Sequence, residues 1–155
     1  MTAKSAFVYG LLTTSLIFAL WHINALGFVL IDTWFPGTSG ETVDDYAMDY
    51  ARRQMRWSIA MLVVALPSYL WLNRRLAATL RADPASRKAG LRKWFGYLTL
   101  FIAALTMAGD LIWAIYALLM GDLTAQFAAK AGLVLVSAGL VFAHYRLEAE
   151  DADAA

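Results

Sequence analysis

The sequence predicts an all-α integral membrane protein, a four-transmembrane-helix bundle with its N and C termini cytoplasmic. Three observations carry this. The chain of 155 residues is 61% hydrophobic and only 16% charged, where soluble domains carry about a quarter charged residues; its mean hydropathy is +0.56. Four apolar runs approach or exceed the roughly 20 residues that cross a bilayer. The charges between those runs are unevenly placed, and one connection is strongly basic.

The first run, residues 6–31, reads AFVYGLLTTSLIFALWHINALGFVLI. It is too long for the apolar region of a secretory signal, and no A-x-A site follows, so it is read as an uncleaved span. The connection after it is acidic, with Asp32, Glu41, Asp44, Asp45 and Asp49. Within it Thr42 and Asp45 have the spacing of a capping box, which starts a helix near Val43. Asp49 and Arg53 are expected to be i,i+4 partners on that helix. The second span is 55–72, MRWSIAMLVVALPSYLWL. The next connection holds Arg74, Arg75, Arg81, Arg87, Lys88, Arg92 and Lys93 against the single acid Asp83. Asp83-Pro84 reads as an N-cap followed by proline at the first helical position. The third span, 94–119, and the fourth, 127–145, are joined by a tight turn around Gly121 and Asp122, and a short acidic cytoplasmic tail, 146–155, follows. The whole of 1–155 is thus one four-span domain, since every span is expected to be helical in lipid. Spans two and three are expected to form a hairpin whose ends project beyond the membrane.

Orientation follows from the basic connection, which belongs on the cytoplasmic side. Both termini then lie inside and the acidic loop outside. Trp34, Trp57, Trp71 and Trp94 fall near span ends, as interfacial anchors do. The simplest reading of the basic residues is topology plus contact with anionic lipid.

Four ionisable residues, one from each span, converge on the outer half of the membrane. At 1.5 Å per residue, Asp110 and His22 lie roughly 13 Å below the outer surface and Lys130 roughly 9 Å below it. Arg56 lies near the outer boundary, with a side chain long enough to reach in. Helical periodicity places Thr99, Ala103, Thr106, Asp110 and Ala117 on one small, polar face of span three. Lys130, Ser137 and His144 share a face of span four, Ser15 and His22 a face of span one, and Arg56, Val63 and Pro67 a face of span two. Pro67 also leaves the Val63 carbonyl without its helical donor. Asp110 has no basic residue three or four positions away, and an unpaired charge at that depth costs several kcal/mol. The expected remedy is an Asp110–Arg56 pair, with Lys130 as second candidate and His22 nearby. This polar cluster reads either as an ionic clamp that fixes helix register or as a site for a proton, ion or small polar ligand.

No catalytic set is expected. Cysteine is absent, which excludes disulfides, thiolate metal sites and cysteine nucleophiles. No HExxH, phosphate-binding loop or nucleophile elbow occurs. His22 and His144 fall on opposite sides of the bilayer, too far apart for one haem. No cofactor or metal is therefore expected. A net charge of +1 gives no bulk attraction to nucleic acid. The expected contacts are membrane lipid and either a second copy or another membrane protein, for which Ala128 and Gly132 offer an i,i+4 small-residue seat.

The string RWSIAMLVVALPSYLWLNRRL, then RADP, then WFGYLTLFIAALTMAGDLI, resembles a bacterial membrane family, domain-of-unknown-function family 5671. Those strings hold Arg56-Trp57, Pro67, Asp83-Pro84 and Gly109-Asp110, and Trp34-Phe35-Pro36 fits the turn after the first span. The resemblance spans nearly the whole chain apart from the external loop. It implies a multi-pass protein of the bacterial cytoplasmic (inner) membrane and supplies no activity. Two function classes stay open: a structural, accessory or assembly-forming bundle, or a small oligomeric transport or sensing protein that uses the polar cluster.

Overall fold

A computed structural model of the chain describes residues 3–35, 45–82, 90–121 and 124–154. They form four helices: α1 (Ala3–Trp34), α2 (Asp45–Ala82), α3 (Gly90–Met120) and α4 (Ala125–Ala154). Each contains a stretch long and apolar enough to cross a membrane. The helices overrun the apolar runs in the sequence because helical backbone closes its own hydrogen bonds whatever the side chains. Thus α1 continues through Asp32, and α2 runs unbroken through Pro67. The capping-box residue Thr42 and the Asp83-Pro84 pair lie outside the described residues.

Sequence chemistry is visible at the turn from α3 to α4. Gly121 adopts φ +79°, a left-handed conformation that glycine reaches without steric cost, and its N–H donates to the Leu118 carbonyl at 3.2 Å. Thr124 then accepts the Phe127 N–H on its hydroxyl at 3.1 Å, capping α4. This turn lays α4 antiparallel along α3.

The packing is centred on α1, which contacts α2, α3 and α4. The second extensive interface joins α3 to α4, whereas α2 packs on α1 alone apart from incidental contact, among the described residues. The expected hairpin of spans two and three is therefore not a packed one: α2 and α3 each pack on α1 and not on each other beyond incidental contact. The core is a stripe on α1 made of Tyr9, Leu12, Leu16 and Ala19, faced by Ala65 and Leu72 of α2, Ala103 and Ala117 of α3, and Ala138 of α4. Four of these nine residues besides Ala19 are alanine, so the helices approach through small side chains. Large apolar residues such as Phe101, Ile112, Leu119 and Leu140 are more than 60% exposed. Soluble monomers rarely show so large an apolar surface.

Candidate functional site: polar ties along the central helix

The polar side chains of α1 meet neighbours at three levels. The most buried contact is His22 Nδ1 to Ser58 Oγ of α2 at 3.2 Å. His22 is 4% exposed and Ser58 is fully buried. Ser58 is small enough to let α2 approach, and its hydroxyl gives the imidazole a partner that lipid would not. Ser15, seven residues earlier on α1, is buried as well, so the face read from the sequence for span one is the packed one.

At about the same depth, Asn24 meets Ser137 of α4. The Asn24 amide donates to Ser137 Oγ at 3.0 Å and to the Leu20 carbonyl one turn back at 2.9 Å. Ser137 Oγ also lies 3.2 Å from Asn24 Oδ1 and 3.0 Å from the Val134 carbonyl. This pair borders a cleft of about 350 Å³ walled by α1, α3 and α4, with Gln54 of α2 at its edge; the walls include Leu16, Leu20, Thr99, Ala103 and Val134. Thr99 and Thr106, also on the cleft, direct their hydroxyls to the Phe95 and Ile102 carbonyls of their own helix. The cleft is thus largely apolar, with the Asn24–Ser137 pair and Gln54 as its polar edge.

The third tie is at the end of α1. Asp32 pairs with Lys130 of α4 at 2.5 Å and accepts from the amide of Gln126. Gln126 and Lys130 are one turn apart, so α4 presents a fork to a single carboxylate. The Lys130 ammonium also lies 5.7 Å from the Phe28 ring centre, within cation–π range. By hydropathy Asp32 belongs to the loop after span one, and Asn24 gives no signal in the sequence. The signal for Asp32 was the Gln126/Lys130 spacing, which needs an acceptor from another helix.

These ties correct the expected cluster. Lys130 is committed to Asp32 and does not meet Asp110. Among the described residues no ion pair joins Asp110 to Arg56. Arg56 is exposed, and Asp110 Oδ2 is buried without a hydrogen-bond partner. The reason is the face that α2 presents. Its buried positions are Ser58, Ala65 and Leu72, seven apart, and at about 100° per residue Arg56 lies on the far side of the helix from Ser58. Val63 shares that outer side at 67% exposure, and Pro67 is exposed too. On α3 the expected stripe is inward at Thr99, Ala103 and Ala117, partly buried at Asp110 and exposed at Thr106. Asp49 pairs with Arg52 at 3.8 Å, one position short of the expected Arg53. His144 is exposed near the end of α4, its ring edge-on to Tyr145.

Among the described residues there is no group of three His, Asp or Glu side chains that would hold a metal ion. No curated protein and no solved structure matches the chain. One family does: the sequence matches the Domain of unknown function (DUF5671) over residues 5–145, nearly its full length, and the chain belongs to that family.

Proposed function

We propose that the chain is a multi-pass protein of the bacterial cytoplasmic membrane with a structural or accessory role, non-enzymatic, and with both termini inside. The observation that carries this is how α1 uses its polar side chains. His22, Asn24 and Asp32 are each taken up by a group on a neighbouring helix. Groups satisfied pairwise hold helices in register and offer no open site for an ion or substrate. Membrane residence is supported by the four apolar helices, and orientation by the seven basic residues between spans two and three.

A second reading, ion or solute transport or sensing, draws on one observation, the unpartnered Asp110 oxygen. Intramembrane acids without a structural partner mark ion pathways in many membrane proteins. The two readings separate in sealed proteoliposomes holding purified protein under proton, sodium or potassium gradients. Under the structural reading the vesicles stay silent at every pH. A flux that Asp110→Asn abolishes overturns it in favour of transport.

A further inference from the structure

We propose that Asp110 is neutralised between molecules: Arg56 of a partner subunit, carried on the outer face of its α2, pairs with Asp110 on α3 of this one. The proposal rests on the membrane-spanning reading, because it requires all copies to share one orientation.

The first ground is complementarity. Asp110 Oδ2 has no partner. Arg56 is exposed on the side of α2 turned away from α1, and among the described residues it meets no acid. Within a single copy Arg56 points away from the cleft that α2 and α3 both border, since it lies on the side of α2 opposite the buried Ser58. Without a partner Arg56 would face hydrocarbon and the part-buried Asp110 carboxylate would stay unpaired, and an unpaired charge at that depth costs several kcal/mol.

The second ground is depth. His22 and Ser58 touch, so they share a level. Because α2 runs against α1, Arg56 lies about 3 Å nearer the Trp34 end than Ser58, at the level of Asn24. Tyr9 and Phe95 stack at 5.9 Å, which fixes the register of α1 against α3, and these two helices run parallel. The step from Tyr9 to Asn24 is the same as that from Phe95 to Asp110, about 22 Å along either helix. Arg56 and Asp110 therefore stand at one height. Copies related by an axis along the membrane normal keep every residue at its height. A neighbour brought up sideways thus presents Arg56 to Asp110 without a vertical shift, and the long arginine side chain absorbs a few ångströms of tilt.

The third ground is access. Gly109, beside Asp110, is exposed, and a Cβ added to it meets nothing within 4 Å. Ala60, one turn from Arg56, is exposed as well. Small residues next to each charge let two backbones come close. The stripe Arg56, Ala60, Val63 and Pro67 is then an outward seam on α2.

The test uses the full chain, whose lack of cysteine makes introduced thiols specific. Retention of the wild type in the bilayer after alkaline carbonate washing checks the membrane reading first, and its release would fail that reading alone. Two differently tagged copies, one Arg56→Cys and one Asp110→Cys, are then co-expressed and treated in membranes with a bifunctional maleimide whose span matches the reach of an arginine side chain, since a direct disulfide would need the two Cα atoms within about 7 Å. The expected result is a cross-linked dimer carrying both tags; its absence, with both copies in the bilayer, overturns the pairing. Since these changes remove the charges themselves, the self-association of the wild type in lipid is measured in parallel. Arg56→Gln and Asp110→Asn should each weaken it by about tenfold, and together no further. A wild type that stays monomeric in lipid, or an oligomer that Asp110→Asn leaves unchanged, overturns the proposal equally.

Discussion

At Gly27 the contact between α1 and α4 leaves no room for a side chain: an added Cβ would overlap the Cδ2 methyl of Leu133. Gly27→Ala must therefore push the Leu133 side chain or separate the helices, and overpacking of this kind costs about 1–3 kcal/mol. We expect Gly27→Ala to lower the midpoint of thermal unfolding in detergent and Leu133→Ala in the same chain to recover part of the loss. Two changes that instead add fully would place the strain elsewhere. At this scale the sequence was only partly legible. A histidine and a serine seven apart on an apolar helix signal a packed polar face, and His22 and Ser15 are buried. Asn24 gave no such signal, because one uncharged amide in an apolar run has neither a period nor a charge to balance. Asp32 was misjudged because hydropathy ends a span at its last apolar residue, whereas the backbone helix continues through Trp34.

Among the elements, α2 depends most on a few residues, since it packs on α1 alone beyond incidental contact. Its inward positions Ser58, Ala65 and Leu72 recur every seven residues, the repeat of a seam between two helices. Ala65→Leu inserts bulk into that seam and should cost about 1–3 kcal/mol. Val64→Leu, at a position 66% exposed, should change stability by no more than about 0.5 kcal/mol. Denaturant unfolding of both variants in the same detergent checks the contrast, and equal losses would mean that α2 is rotated from the face described. The existence of all four helices was legible from apolar length. The face of α2 was not, because intramembrane charge is ordinarily assigned to the interior of the bundle. That rule holds for one chain considered alone. It fails where small residues make the tighter seam and the charge has a destination outside the chain, which is the role inferred for Arg56.

For the molecule as a whole, the arrangement of helices and the distribution of charge point to one insertion order. Residues 3–34 form the helix on which every other element packs, so on the proposed membrane reading the first span is the template for those that follow. Its contacts reach α4, the last element, through Asn24 and Asp32, and they form only if the intervening pair crosses the membrane in alternate directions. On the proposed orientation the connection between α2 and α3 decides that alternation, since its basic residues are costly to translocate. Ser86 lies in that connection. In an otherwise cysteine-free chain, Ser86→Cys should resist a membrane-impermeant maleimide in intact cells and react once the membrane is opened. A cysteine at Thr38, in the connection before α2, should show the reverse. If both react from outside, the chain does not hold one orientation. The common height of Arg56 and Asp110 would then no longer bring them together between neighbouring copies, because inversion about the mid-plane preserves height only at the mid-plane itself. The labelling pattern therefore tests the topology and, through it, the geometric premise on which pairing between copies depends.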